Sequence, residues 1–309
     1  MSKSACITVC LNPTLQKTLV FPHLVPDAVN RSAEYRFDVS GKGINVSRVL
    51  TQLGKKNIHI TQLGGRFRPV FLELCAADNL NVRWVESGSD IRFCYTVIDR
   101  EKNQTTELVE EGNAVQQGAE SKLLDTFYKL LPEYSSLIIS GTKAPGFSAN
   151  IFSEMVQKAK AQGLFVILDI RGRDLLDCLP YKPDLIKPNL DEFIATFPAS
   201  AGKSRINPEN REEIAALCRQ IHAQYGCRIV LTRGSRSIWY FEGKNLEEYP
   251  IEAAAAVNPI GSGDAFTAGL AGAFMDGASF QEALAEAARC GRLNAMFLKP
   301  GTISEILGF

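Results

Sequence analysis

Apolar positions recur along the chain in two rhythms. Ala5–Leu11 is a nearly continuous apolar run rich in β-branched residues and cysteine, the pattern of a strand covered on both faces, and Asn12-Pro13 ends it with a turn signal. Ile44–Leu53 has helical spacing instead, with Val46, Val49, Leu50 and Leu53 on one side and Gly54 as the closing residue. Ile58–Leu63 predicts the next strand. From Ser136 the alternation is regular: strand Leu137–Ser140, helix Ala149–Gln162 closed by Gly163, strands Phe165–Ile170 and Leu185–Lys187, helix Glu212–Gln224 and strand Arg228–Thr232. Strands separated by helices of this length predict βαβ units and a doubly wound α/β body.

Two segments break the rhythm. Thr18–Val39 reads as irregular, and Arg92–Val109 as two strands, Phe93–Asp99 and Thr105–Val109, around the polar turn Arg100–Gln104. A hairpin inserted in an α/β body is either a flap over a site or an ordinary edge hairpin, and these residues alone favour neither. Pro198–Pro208 reads as a polar loop within one domain.

Composition narrows the function. The chain has 309 residues with 34 Lys+Arg against 34 Asp+Glu, so it lacks the basic surplus that nucleic acid or an anionic membrane usually requires. Cys6, Cys10, Cys75, Cys94, Cys178, Cys218, Cys227 and Cys290 form no C-x-x-C pair and lie in apolar stretches, which fits packed thiols in a reducing cytoplasm. His23, His59 and His222 are too scattered for a local metal motif. No apolar run approaches the ~18 residues of a membrane span, and the N-terminal segment reads as an opening strand.

The stretch richest in chemistry is Asn258-Pro259-Ile260-Gly261-Ser262-Gly263-Asp264, followed by the small, apolar Ala265–Phe274. It predicts a buried helix starting near Gly263 with a glycine turn at its entry, where free N–H groups and the helix dipole can hold an anion such as phosphate. Asp264 at the mouth is expected to be kept ionised by that field and so able to take a proton from a substrate hydroxyl. An ordinary N-cap aspartate explains this segment equally well. Ser40-Gly41-Lys42-Gly43-Ile44-Asn45-Val46 is a second glycine turn before a helix, with a lysine for phosphate and an asparagine for sugar hydroxyls. The P-loop is excluded because Phe197 stands where the first glycine should precede Gly202-Lys203-Ser204. The G-x-G-x-x-G fingerprint fails at Phe266 and at Val46.

Together, Ser40–Asn45 and Asn258–Asp264 resemble the two signatures of the PfkB (ribokinase-like) carbohydrate kinase family, and the similarity runs from Leu11-Asn12-Pro13 to the last helices. Asn12-Pro13, Gly41–Val46, Gly64-Gly65 and Arg92 resemble the ketohexose-phosphate branch, the 1-phosphofructokinases and tagatose-6-phosphate kinases. The resemblance implies a three-layer α/β/α domain over residues 1–309 with a mainly parallel sheet and a small β lid inserted at about 12–40 and 91–112. It implies ATP and Mg2+, and transfer of a phosphoryl group to a hydroxyl of fructose 1-phosphate, tagatose 6-phosphate or fructose 6-phosphate. By the same resemblance Asp264 is the base and Gly261, Ser262 and Gly263 the anion hole. Lys42 and Arg92 would hold the acceptor's phosphate, with Gly41, Asn45 and Gln16 at its hydroxyls. Lys187, Asn189, Thr232, Gly234, Ser235 and Asn294 would meet the nucleotide, Asn294 beside the adenine, and Asn189 and Glu192 would position Mg2+, directly or through water. A homodimer through the lid is expected.

Three departures matter. Branch members carry an aspartate where this chain has Gln16, which removes charge assistance from hydrogen bonds to the sugar. Arg68-Pro69 replaces a glycine-containing turn, and Ser140-Gly141-Thr142-Lys143 adds a lysine that either reaches phosphate or, as expected here, lies solvated. A different acceptor, or a non-catalytic sugar-phosphate or nucleotide sensor on the same scaffold, are the competing readings.

Overall fold

A computed structural model describes residues 4–197 and 206–304; most of the predicted Pro198–Pro208 loop lies outside them. In chain order the strands and helices begin with β1 (Cys6–Leu11), β2 (Thr14–Phe21), β3 (Glu34–Ser40), α1 (Lys42–Gln52), β4 (Asn57–Leu63), α2 (Arg68–Ala77) and β5 (Val82–Glu86). Then come β6 (Arg92–Asp99), β7 (Gln104–Val109), α3 (Ala119–Leu130), β8 (Ser136–Lys143), α4 (Ile151–Ala161), β9 (Phe165–Asp169), α5 (Gly172–Cys178) and β10 (Leu185–Ile186). The chain continues with α6 (Leu190–Thr196), α7 (Arg211–Tyr225), β11 (Arg228–Arg233), β12 (Arg236–Phe241), β13 (Leu246–Tyr249), α8 (Ser262–Met275) and α9 (Phe280–Ala295).

A nine-stranded sheet runs in the order β13-β12-β11-β10-β9-β8-β1-β4-β5, parallel throughout except for the edge strands β12 and β13. β1 sits inside it with all its residues buried, which is why Ala5–Leu11 shows no alternation. Successive residues of one strand feed opposite cores. Leu137 and Ile139 join Leu123, Phe127, Met155, Phe193 and Ile214 of α3, α4, α6 and α7. Ile138 joins Val46, Val49, Leu50, Leu270 and Ala287 of α1, α8 and α9. The result is three layers, as the βαβ rhythm predicts.

The segment read as irregular, Thr18–Val39, proves to hold most of β2 and β3. With β6 and β7 these make a second, four-stranded sheet in the order β3-β2-β6-β7. Its alternation was masked because the face toward the body is polar: Gln16 pairs in register with Asp38 on β3 and Cys94 on β6, and Thr96 with Glu107 on β7. The other face carries Lys17 with Phe37 and Tyr95, and Leu108 beside Tyr95. Tyr35 and Leu108 there are 62% and 55% exposed. All eight cysteines are unpaired and buried, and burial pushes the Cys6, Cys75, Cys218, Cys227 and Cys290 thiols up to about 12. Among the described residues, no helix is long and apolar enough to cross a membrane.

Candidate active site

The carboxyl ends of β1, β8, β9 and β10, the N-termini of α1 and α8 and the polar face of the small sheet enclose a cleft of about 890 Å³. In parallel α/β sheets this is where strand ends leave room for a ligand. Two tight turns build its floor. α8 starts from Gly261 in the left-handed region (φ 84°), and a Cβ there would stand 2.9 Å from Pro300 Cβ, so both backbone and space require glycine. At Gly43 a Cβ would come within 2.7 Å of Cys10 Cβ and 3.0 Å of Val9 O, so α1 can press against β1 only without a side chain.

Asp264, in the first turn of α8, is 7% exposed and accepts a hydrogen bond from Asn45 Nδ2 at 2.8 Å. Residues 219 apart in sequence thus meet in one bond. Burial pushes the carboxyl up to about 7, with Asp169 adding to the rise and Lys42, Asn45 and Lys187 opposing it. The expectation that the helix field would simply keep Asp264 ionised is therefore corrected: desolvation outweighs it, and the group titrates near neutrality.

Beside it, Asp169 ends β9 fully buried. Its Oδ2 accepts from Thr267 Oγ1 (3.1 Å) and Ser140 Oγ (3.2 Å), while Oδ1 faces Lys187 Nζ at 3.4 Å and Lys42 Nζ at 3.5 Å. Burial alone would raise this carboxyl; the two ammonium groups and the hydrogen bonds overcome it and hold it below the usual range. Lys187, 3% exposed, reaches the anion turn: Nζ lies 3.9 Å from where a Cβ of Gly263 would be. Lys42 also lies 3.5 Å from Glu192, and its pKa is raised, chiefly by Asp169. Asn189 and Glu192 form a reciprocal cap on α6, Asn189 Oδ1 accepting from Glu192 N at 2.8 Å and Glu192 Oε2 from Asn189 N at 3.1 Å. That cap turns Glu192 Oε1 toward Lys42, so Glu192 is a cleft residue and not a surface acid.

The cleft thus holds one carboxyl near neutrality, a second clamped between two lysines, and a glycine turn at a helix start. Residues 2–305 match the pfkB family carbohydrate kinases. The chain belongs to that family. It is 27% identical over 300 residues to tagatose-6-phosphate kinase of Staphylococcus epidermidis, covering 96% of this chain and 94% of the relative. Its fold is similar to a possible 1-phosphofructokinase from Thermotoga maritima, with a TM-score of 0.84, 21% identity and coverage of 96% and 93% of the two chains. It is also similar to Arabidopsis thaliana ribokinase complexed with ribose and ATP, with a TM-score of 0.72, 18% identity and coverage of 96% and 94%. The protein is a phosphotransferase with a hydroxyl acceptor.

In this pfkB-family kinase the cleft is lined by Gln16, Gly41, Lys42, Asn45, Arg92, Lys187, Asn189, Glu192, Thr232, Gly261, Gly263 and Asp264. Gln16, 2% exposed, donates from Nε2 to Thr96 Oγ1 at 2.6 Å. Arg92 crosses from the small sheet to the body, donating from Nη1 to Glu110 O (3.1 Å) and from Nη2 to Asn12 O (3.4 Å). Other expected residues lie away from the cleft lining. Asn294 is fully buried behind the anion turn, donating to Ile260 O (2.9 Å) and Ser262 Oγ (3.2 Å) and accepting from Gly301 N (2.6 Å). It braces the turn and does not line the cleft, and Ser262's hydroxyl is turned toward it. Gly234 and Ser235 form the β11–β12 turn beyond Thr232, outside the lining. Lys143 is held and not left in solvent: it ion-pairs with Asp174, donates to Ala149 O at 3.2 Å and lies over Phe152. Asp169 escaped the sequence reading, although a lone acid at the carboxyl end of an apolar parallel strand was a visible signal.

Proposed function

We propose that this kinase transfers the γ-phosphoryl group of ATP to a hydroxyl of a ketohexose phosphate, with fructose 1-phosphate or tagatose 6-phosphate preferred and fructose 6-phosphate accepted. The observation that carries this reading is the convergence in one cleft of Asp264, the Gly261–Gly263 turn, and the cations Lys42, Arg92 and Lys187. Asp264 takes the hydroxyl proton as the acceptor oxygen bonds to phosphorus and the bond to the ADP oxygen breaks. The N–H groups of the Gly261–Gly263 turn and the Lys187 ammonium meet the charge that gathers on the transferred group. Arg92, whose hydrogen bonds among the described residues go to carbonyl oxygens, offers its charge to the phosphate already on the acceptor. Lys42, which the resemblance pairs with Arg92, is drawn by Asp169 and Glu192 toward the phosphoryl path and in this reading serves the transferred group. Thr232 and Asn189, joined by a β-bridge, would border the nucleotide, and Gly41, Asn45 and Gln16 the sugar.

The donor set suits Mg2+. Glu192 Oε1 is free of the cap and faces the cleft, whereas Asn189 Oδ1 is committed to it and would act through water. Bound there with the phosphates, the ion would neutralise charge on their oxygens. The test is ADP release in a coupled assay over the three acceptors. Turnover of one or more at an ordinary kinase rate is the expected result, and ADP release from none of them would contradict it.

Gln16 carries the second reading, a different acceptor, since its neutral amide is spent on Thr96. Gln16→Asp that leaves turnover of every ketohexose phosphate unimproved would favour that reading; a large improvement would argue against it. We infer a homodimer through the small sheet, supported by Tyr35, Phe37 and Leu108 standing exposed on its outer face. Sedimentation at micromolar concentration should give a dimer that Phe37→Glu dissociates; monomer alone would contradict this. Eight unpaired cysteines fit a reducing compartment such as the cytoplasm.

A further inference from the structure

Arg48 is among the largest side chains that the fold buries completely, at 1% exposed. A guanidinium taken out of water needs each of its N–H groups met. Nε donates to Asp78 Oδ2 at 2.8 Å and Nη2 to Val39 O at 2.6 Å. Nη1 donates to Pro300 O at 2.8 Å and to Asn45 Oδ1 at 2.9 Å. Among the described residues Asp78 is the one carboxylate Arg48 meets, and the bond to Asn45 has a separate consequence. Arg48 can only donate, and Ser40 Oγ donates to the same Asn45 atom at 3.3 Å. Two donors fix that atom as the oxygen, so the carboxamide must turn its Nδ2 toward Asp264 Oδ2, 2.8 Å away.

We propose that Arg48 is a positioning residue for the base: it locks the Asn45 carboxamide so that an N–H, and not a carbonyl oxygen, meets the Asp264 carboxylate. The inference rests on Asp264 being the base of the proposed reaction. With the amide reversed, its carbonyl oxygen would face Asp264, an arrangement that only a protonated carboxyl satisfies. The anchor draws on three separate parts of the fold: Val39 lies on β3 of the small sheet, Asp78 caps α2, and Pro300 follows α9. Lys299 ties two of them again, ion-pairing with Asp78 and lying 3.5 Å from Asp38 of β3. Asp264 is also faced by Lys42 of α1, Asp169 of β9, Lys187 after β10 and Cys10 of β1. Around Arg48 stand Asp78, Lys299, Cys75 of α2 and His59 of β4. Of these, only Asp78 is altered by the substitutions below.

Arg48→Lys keeps the charge but cannot reach all four acceptors. The acid limb of its kcat/KM profile is expected to move up by about one pH unit, the scale of one lost hydrogen bond to a charged group, with KM for both substrates little changed. Asn45→Ala should move the limb in the same direction, and the double variant no further than the larger single effect. A lysine variant that melts lower but keeps the parental limb would overturn the proposal. If it does not fold, Asp78→Asn loosens the guanidinium more gently; a smaller upward shift is expected, and an unmoved limb overturns the proposal equally. Titration of the Asp264 carboxyl by difference infrared spectroscopy against Asp264→Asn reads the same shift without turnover. Failure of the kinase reading and failure of this one are thereby distinguishable.

Discussion

Asp264→Asn is expected to lower kcat by about a thousandfold, the middle of the range for removing a positioned general base, while melting higher than the parent at pH 8. The two effects share one cause. A carboxyl buried beside Asp169 titrates at about 7, well above its unfolded value. For an acid whose pKa rises on folding, the charged form costs stability: the cost is absent below the unfolded pKa and complete once pH exceeds the folded one. Asparagine can still accept the Asn45 Nδ2 hydrogen bond, so at pH 8 the variant escapes a penalty on the order of a few kcal/mol. In the parent, kcat/KM should climb with pH through about 7 as the base loses its proton. That limb should be gone from the residual activity of the variant. A variant as active as the parent, or one that melts lower at pH 8 than at pH 5 relative to it, would contradict the assignment.

Asp169→Ala is expected to have the opposite effect on stability. The parent carboxylate meets the buried Lys187 ammonium at 3.4 Å and the half-buried Lys42 ammonium at 3.5 Å, and takes two hydroxyl hydrogen bonds. Removing it leaves Lys42 and Lys187 with Glu192 and Asp264 as the carboxyls nearby. Breaking a buried ion pair by deleting one partner costs about 3–5 kcal/mol, read as a fall in the urea midpoint at pH 7.5. The folded pKa of Asp169 lies below its unfolded value. Its contribution is therefore present above the unfolded pKa and is lost as pH falls through the folded one, so the difference between variant and parent should shrink in strong acid. Asp169→Asn, which keeps the hydroxyl contacts, isolates the charge. Urea midpoints that coincide at pH 7.5 would show that the two lysines do not depend on this carboxylate.

The sequence revealed the parts of this protein whose physics is local. Continuous apolar runs marked β1 and β9 because parallel strands bury both faces. The two glycine turns stood out because a helix start pressed on its neighbours tolerates no Cβ. Meaning carried by distant partners was not legible. β2 and β3 were hidden because their polar face looks into a cleft built by the other end of the chain. Asn294, which the resemblance sets beside the adenine, braces the anion turn here, and polarity in a late helix does not foretell that contact. Arg48 carried no local signal, since its four acceptors come from β3, α1, the end of α2 and the segment after α9.

The claim that joins these observations is that the cleft passes phosphorus from ATP to a phosphorylated sugar. Phosphorus NMR of a completed reaction with ATP and the best ketohexose phosphate tests it most directly. Two sugar phosphomonoester signals in equal amount, appearing with one equivalent of ADP, are the predicted result. ADP accompanied by inorganic phosphate and an unchanged sugar would contradict it.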